Sequence, residues 1–285
     1  MIKTIGVLGA GQMGSGIAQL FAQFNYDVIL CDENEAQLFK AHTRIHANLE
    51  RQALKGNIEN SRINQIEKHI RTTRQLSELA AADFIVEAVS EQEQLKFELF
   101  AKLDTIIRPE VILASNTSSI SITRIASVTK RPERVIGMHF MNPAPVMELV
   151  ELIRGQATSE GTFTTTQAVA EALGKQTAVS QDYPGFIVNR ILIPMINEAI
   201  FALFEGVATA EDIDKGIKLG TNQPMGPLAL ADLIGLDTVL AIAGVLYSGF
   251  KDPKYRPCPL LVRMVNAGQL GKKSGQGFYR YEKAG

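Results

Sequence analysis

The chain has 285 residues, 46% hydrophobic and 21% charged, with a formal net charge of −1, the make-up of a globular protein of about two domains with a real core. Such a charge balance excludes the global field that nucleic acid or an anionic membrane would need, so any polyanion must be held by a local patch. Two cysteines, Cys31 and Cys258, give no disulfide framework and no metal spacing, as expected of a reduced, cytoplasmic protein, and the longest clean apolar run, Val239 to Tyr247, is far short of a membrane span.

Met1-Ile2-Lys3 leads straight into a strand pattern, which leaves no room for a targeting segment. Thr4 to Leu8 is a short apolar run, and the turn Gly9-Ala-Gly-Gln-Met-Gly14 follows at once. Ile17 to Phe24 reads as a helix, with Ile17, Leu20, Phe21 and Phe24 at helical spacing. Asp27 to Leu30 reads as a second strand that ends at Cys31-Asp32. In this context Gly9 permits a tight turn, Gly11 lets a pyrophosphate approach the backbone, and Gly14 lets helix and strand pack closely. Exposed N–H groups and the helix dipole at Gln12 and Met13 attract phosphate. Asp32 stands where a carboxylate accepts hydrogen bonds from an adenosine ribose and repels a 2′-phosphate, so NAD is expected over NADP.

Glu33 to Lys55 reads as a long polar helix, on which Lys40, Arg44, Arg51 and Lys55 form a basic stripe. A solvated face balanced by Glu35 and Glu50 is the ordinary reading of such a stripe, and a clamp for a phosphate-bearing substrate is the alternative. His42 and His46, one turn apart, have metal-pair spacing but no third ligand near, so no metal is expected. Asn57 to His69 reads as a further helical insertion.

Asp83 to Val89 reads as a buried parallel strand with Glu87 and Glu91 at its end, where one of these acids can face a cofactor. A helix from Gln92 to Ile107 carries Lys96, and Val111 to Ala114 is the next strand. The loop Ser115-Asn-Thr-Ser-Ser119 either caps the helix Ile120 to Ser127 or presents donors to a ligand oxygen. A strand over Val135 to Phe140 delivers His139 to the same rim, and Glu151 closes the apolar run Val146 to Ile153. Asn142, Pro143 and Pro145 bend the chain between them, so the two runs can fold back and bring His139 to Glu151. A carboxylate beside an imidazole orients it and suits it to proton transfer near neutral pH. The plain alternative is a core histidine and a strand-edge glutamate. A helix over Thr164 to Leu173 and a strand over Thr177 to Ser180 complete this half.

At Asp182-Tyr-Pro-Gly185 strand signals stop. Phe186 to Phe204 reads as a long apolar helix with Asn189 near its start, either a surface residue or an amide aimed at a cleft between domains. Thr209-Ala-Glu-Asp212 is a capping box for a helix ending at Gly220. Gly226-Pro227 starts another, Asp237 is expected to cap the next, and Pro259 to Asn266 is the last. The tail Gly271 to Tyr279 reads as basic, flexible and aromatic. The expected architecture is α/β, a doubly wound, Rossmann-type and mainly parallel sheet over 1–183, followed by an all-α domain over 184–285. Apolar positions at Leu230, Leu233, Leu236, Leu240, Ile242 and Leu246 exceed what one small bundle buries, so a homodimer through this half is expected.

These residues resemble the short-chain L-3-hydroxyacyl-CoA dehydrogenases, 3-hydroxybutyryl-CoA dehydrogenases included, over nearly the whole chain. The resemblance rests on Gly-Ala-Gly-Gln-Met-Gly (9–14) with Asp32, Val-Glu-Ala-Val-Ser-Glu (86–91) and Ala-Ser-Asn-Thr-Ser-Ser (114–119). It continues in Gly-Met-His-Phe-Met-Asn-Pro-Ala-Pro-Val-Met (137–147) leading into Leu-Val-Glu (149–151), in Pro-Gly-Phe-Ile-Val-Asn-Arg (184–190), and in Pro-Met-Gly-Pro (224–227). The glycine turn alone is common, whereas His139 to Glu151 combined with Pro184 to Arg190 is specific. The resemblance implies reversible, NAD-dependent oxidation of an acyl-CoA substrate, with His139 as base and Glu151 as its partner. It implies that Ser118 and Asn189 contact the reacting oxygen, that Asn142 supports the nicotinamide end, and that Glu91, Lys96 and Ser118 meet the cofactor. Lys55 falls where the family has a basic residue near coenzyme A. Asn48 stands where some relatives carry a small hydroxyl residue, which puts a substrate contact there in question. Two rival readings are a dehydrogenase of a free hydroxy acid or sugar acid, of the gulonate type, and a non-catalytic NAD-binding protein.

Overall fold

A computed structural model describes residues 2–282, which form two compact units joined between Tyr183 and Pro184. The first unit is built on β1 (Thr4–Leu8), α1 (Gln12–Gln23), β2 (Asp27–Cys31), α2 (Glu35–Leu54), α3 (Ile63–Lys68) and β3 (Ile70–Thr73). It continues with β4 (Phe84–Glu87), α4 (Glu93–Ile106), β5 (Ile112–Ser115), α5 (Ile122–Ser127) and β6 (Val135–Phe140). It closes with β7 (Leu149–Arg154), α6 (Glu160–Ala172) and β8 (Gln176–Gln181).

The strands form one 8-stranded sheet in the order β3-β2-β1-β4-β5-β6-β7-β8. All neighbours are parallel except β6 and β7, which are antiparallel. Strands β4, β5 and β6 are buried along their whole length, as expected of parallel strands covered on both faces. The chain winds one way from β1 to β2 and the other way from β1 to β4. That reversal is where ligands bind in doubly wound sheets, beyond the carboxyl ends of the strands.

Several boundaries differ from the sequence expectation for identifiable reasons. Helix α1 begins at Gln12 rather than Ile17, because Gly14 and Gly16, poor helix formers in isolation, lie inside its first turns. Strand β3 occupies a stretch with no expected strand; it is a short edge strand, Ile-Arg-Thr-Thr, exposed at its two central residues, so no apolar run announces it. The expected insertion after α2 is only a 3-10 turn at Asn60–Arg62 and the short α3. Helix α6 starts earlier than expected, at Glu160, because the Ser159 hydroxyl caps it by accepting from Thr162 N.

The second unit contains α7 (Val188–Phe204), α8 (Ala210–Gly220), α9 (Pro227–Ile234), α10 (Leu236–Phe250) and α11 (Pro259–Asn266) around a core that includes Ile196, Ile200, Leu228, Val239 and Leu261. Thr209 caps α8 as expected. Asp237 does not cap α10: Gly235, at φ +101°, holds the cap position, and Asp237 lies in the first turn, paired with Lys273. The segment after α11 is not a loose tail. The buried Asp232 carboxylate accepts from Phe278 N (3.0 Å), Tyr279 N (2.9 Å) and the Tyr281 hydroxyl (3.0 Å), which pins the segment to α9. Lys283 to Gly285 lie outside the described residues. Of the leucines expected to be in excess, Leu236 and Leu246 are buried, while Leu233 is 53% exposed. Among the described residues no single helix is long and apolar enough to cross a membrane, and α9 and α10, apolar enough together, meet at 99°.

One interior ion pair braces the sheet unit. Arg131 Nε donates to Asp104 Oδ1 at 2.7 Å, Arg131 Nη2 to the Asp104 carbonyl at 2.7 Å, and Lys130 N to Asp104 Oδ2 at 2.9 Å. Removing one member strands the other's charge indoors. Asp104→Ala is therefore expected to lower the unfolding free energy by about 3–5 kcal/mol in a denaturant titration; a loss below about 1 kcal/mol would show that water reaches Arg131.

Candidate active site on the sheet rim

Because β1, β2, β4, β5 and β6 run the same way, the segments that leave their carboxyl ends emerge along one edge of the sheet. The first is the glycine turn. Gly9 has φ +102°, and a Cβ there would lie 2.6 Å from the Ala88 carbonyl oxygen. A Cβ on Gly14 would lie 1.8 Å from the Gly9 carbonyl oxygen, so helix and turn touch only because both positions lack side chains. Gly11 is different: its φ is an ordinary −66°, and a Cβ there would meet nothing within 4 Å. Neither backbone nor packing requires glycine at 11. A phosphate approaching the start of α1 does require it, which makes the turn a fit for a dinucleotide.

Asp32, just past β2, is fixed against this turn. Its Oδ2 accepts from Ala10 N at 2.8 Å and its Oδ1 from Asn34 N at 2.9 Å. Gln12 Nε2 donates to Asn142 Oδ1 at 3.2 Å, which links the turn to the loop after β6. Arg44 Nη1, from α2, donates to the Gly11 carbonyl at 3.1 Å and to Ser15 Oγ at 2.8 Å. The stripe expected on α2 is thus divided: Arg44 turns to the glycine turn, while Lys40 and Arg51 are exposed and Lys55 is the exposed C-cap residue. Asn48 is half-buried on the same helix. His46 is held by Glu67 (2.8 Å) and Glu50 (3.4 Å), and no group of three His, Cys, Asp or Glu among the described residues is placed to hold a metal ion.

Past β4 and β5 lies a network of acids and hydroxyls. Glu87 is fully buried; it pairs with Lys96 and accepts from Val89 N and the Ser115 hydroxyl. Lys96 is 1% exposed, so its ammonium serves this interior pair and lies 3.5 Å from Glu91 rather than on the surface. Glu91 is the acid that faces outward. Its Oε1 accepts from Thr117 Oγ1 (2.6 Å), Ser118 N (2.9 Å), Ser119 N (2.9 Å) and Ser119 Oγ (2.7 Å). Burial alone would raise its pKa, but the Lys96 charge and these donors outweigh it and hold the carboxyl below its usual range. The loop carrying Ser118 is thus wrapped around one carboxylate oxygen. Asn116 joins this loop to β6, its Oδ1 accepting from Phe140 N at 2.9 Å.

His139 is on β6, directly opposite Glu151 on β7 in the antiparallel register. Facing residues in such a pair project to the same side of the sheet. Their side chains meet, His139 Nδ1 to Glu151 Oε2, at 2.7 Å, with His139 8% exposed and Glu151 fully buried. The bend between the strands is anchored by Lys175, whose ammonium donates to the Ala144 carbonyl (2.8 Å) and the Met147 carbonyl (2.7 Å). Burial lowers the Lys175 pKa, against the pull of Glu148. Nothing in the sequence pattern singled out Lys175, and Asn116 and Arg44 were legible only as members of the 115–119 loop and of the α2 stripe, since each acts through a contact distant in sequence. Asn189 is the second residue of α7, in the helical unit.

A parallel sheet with a glycine turn after β1 and an acid after β2 defines a dinucleotide-binding protein, here with a buried histidine–carboxylate pair on the same rim. The pattern of the 3-hydroxyacyl-CoA dehydrogenase NAD binding domain matches residues 4–183, and that of the 3-hydroxyacyl-CoA dehydrogenase C-terminal domain matches residues 185–281. The chain is 52% identical over 284 residues to the 3-hydroxybutyryl-CoA dehydrogenase of Bradyrhizobium diazoefficiens, covering 100% of this chain and 97% of that one. It is 48% identical over 279 residues to the 3-hydroxybutyryl-CoA dehydrogenase of Clostridioides difficile, covering 98% and 99%. The crystal structure of (S)-3-hydroxybutyryl-CoA dehydrogenase from Ralstonia eutropha superposes with a TM-score of 0.96 at 48% identity, over 99% of this chain and 100% of that one. The chain belongs to the 3-hydroxyacyl-CoA dehydrogenase family, a family of oxidoreductases, and its sheet unit is that family's NAD-binding domain.

The two glycines with opposite surroundings separate folding from binding. Gly14→Ala is expected to disrupt the fold, seen as loss of a cooperative melt, because no neighbour can retreat from a 1.8 Å backbone contact. Gly11→Ala is expected to melt within a few degrees of the parent yet bind NADH at least about tenfold more weakly by fluorescence titration. Unchanged NADH affinity in Gly11→Ala would remove the phosphate from this turn.

Proposed function

We propose that this protein catalyses the reversible, NAD-dependent oxidation of an L-3-hydroxyacyl-CoA, of short chain such as 3-hydroxybutyryl-CoA, to the 3-oxoacyl-CoA. The observation that carries the reading is the cross-strand contact of His139 with a fully buried carboxylate, on the rim that also bears the glycine turn. With Nδ1 committed to Glu151, Nε2 is the nitrogen assigned to the chemistry. It takes the proton of the substrate hydroxyl in oxidation and returns it to the oxygen in reduction. Glu151 fixes the ring's orientation and tautomer, since the carboxylate can only accept. NAD, when bound, supplies the acceptor for the hydride that leaves C3.

The remaining residues are assigned by what supports each. Gly9, Gly11, Gln12, Met13 and Gly14 hold the cofactor phosphates, supported by the open space at Gly11. Asp32 takes the adenosine ribose, supported by its braced position beside the turn. Asn142 supports the nicotinamide end, consistent with its bond to Gln12. Ser118 stabilises charge on the reacting oxygen, and Glu91, backed by Lys96, holds its loop. Asn189 is assigned to the same oxygen because it lies in the motif of residues 184–190. Lys55, an exposed cation, and Asn48 are assigned to the coenzyme A moiety. The helical unit serves substrate binding and dimerisation, the latter supported by exposed Leu233 and Ile191. A cytoplasmic setting accords with two free, buried cysteines, Cys31 and Cys258.

The direct test is NADH oxidation with acetoacetyl-CoA against free acetoacetate. Turnover of the free acid at equal or greater kcat/KM would favour a hydroxy-acid dehydrogenase. His139→Gln is expected to lower kcat by about a hundred- to ten-thousandfold, roughly 3–5 kcal/mol in the barrier, with NADH affinity retained. Near-parental turnover would take His139 out of the chemistry. Asp32→Ala is expected to raise KM for NAD and relax discrimination against NADP, and an unaltered KM would contradict the placement of the ribose.

A further inference from the structure

Arg44 is a half-buried cation whose surroundings do not explain it. Its Nη1 donates only to neutral oxygens, the Gly11 carbonyl and Ser15 Oγ, and among the described residues no carboxylate forms an ion pair with it. Gly11 is the N-cap of α1, so the guanidinium sits at the positive end of a 12-residue helix. A cation there is opposed by the helix dipole and by the N–H groups of the first turn. The nearest acid on the turn, Asp32, is engaged by Ala10 N and Asn34 N and forms no ion pair with Arg44. An anion gives a reason for the charge, because it would draw on the dipole, the turn N–H groups and the guanidinium together. Arginine keeps further donors in the same plane beyond the two bonds made by Nη1, and its planar fork matches phosphate oxygens. The second observation is the open space at Gly11, where a Cβ would meet nothing within 4 Å beside the carbonyl that Arg44 holds.

We infer that Arg44 is a phosphate-binding residue that adds a fixed positive charge to the glycine turn and grips the diphosphate of the dinucleotide. This rests on the NAD-dependent reading above and adds to it a residue that comes from α2, outside the turn itself. The same chemistry would suit the phosphates of coenzyme A; contact with the N-cap carbonyl of α1 favours the dinucleotide. Arg44 would thereby also lock the turn in its binding shape, since one guanidinium nitrogen spans Gly11 and Ser15.

The test is calorimetric titration of NADH, ADP-ribose and coenzyme A into the parent protein, Arg44→Met and Arg44→Lys at low and high salt, with thermal melts alongside. Arg44→Met is expected to weaken NADH and ADP-ribose about ten- to hundredfold. The salt dependence of both should flatten, Arg44→Lys should recover part of the affinity, and coenzyme A binding should stay as in the parent. NADH affinity and salt dependence unchanged in Arg44→Met would overturn the inference. So would a loss confined to coenzyme A, or a loss that tracks a lower melting temperature and is not recovered by lysine, which marks a strut between helices. If the parent protein bound neither NADH nor ADP-ribose, the dinucleotide reading would fall together with the inference.

Discussion

The structure depends on one register. Strands β6 and β7 are the only antiparallel neighbours in the sheet, and their pairing sets His139 opposite Glu151. Side chains alternate between the faces of a strand, so a slip of one residue would put the imidazole on one face and the carboxylate on the other. The slip is opposed on both sides of the bend. Met138 and Phe140 on β6, and Val150 and Leu152 on β7, are all buried and would exchange environments with their neighbours. Lys175 holds the two carbonyls at 144 and 147, and Asn116 holds the backbone of Phe140. The proposed catalytic pair is thereby fixed by sheet pairing, the stiffest element the fold offers, rather than by a loop.

The rest of the rim follows from strand direction. Parallel strands deliver their carboxyl ends to one edge, so the glycine turn, Asp32, the Glu91-centred loop and His139 arrive together without long connections. Each is then immobilised by a neighbour. Asp32 is tied to Ala10, Gln12 to Asn142, and Ser118 to Glu91. The buried Glu87–Lys96 pair underlies this arrangement, and its full burial means that neither charge is spent on solvent. Preorganised groups of this sort stabilise developing charge without having to reorient as it forms.

Much of this was legible in the chain. The strand–turn–helix–strand–acid order of residues 4–32 reads directly, because glycine and a terminal carboxylate have few substitutes there. The bend at Asn142, Pro143 and Pro145 between two apolar runs gave the approach of His139 to Glu151. Less legible were elements whose identity comes from their neighbours. Strand β3 carries no apolar run and is a strand because β2 offers it a free edge. The segment 271–279 reads as a basic, flexible and aromatic tail, yet the Asp232 carboxylate gathers the backbone at Phe278 and Tyr279 and the Tyr281 hydroxyl just beyond. The six-residue cluster of leucine and isoleucine in the helical unit likewise splits into buried and exposed members that periodicity alone does not separate.

The amino-acid sequence by itself determined the fold class, the dinucleotide turn, the acid after the second strand and the histidine–glutamate candidate. These are local features, set by residue type and short spacing. Only the tertiary structure decided which charges face the site and which are interior: Lys96 went inward to Glu87, Glu91 became the centre of the serine loop, and Arg44 left a surface stripe for the start of α1. The reason is physical. A long charged side chain reaches several ångströms from its backbone, and whether it meets water, an acid or a helix end depends on which element packs beside it, a relation between residues far apart in the chain.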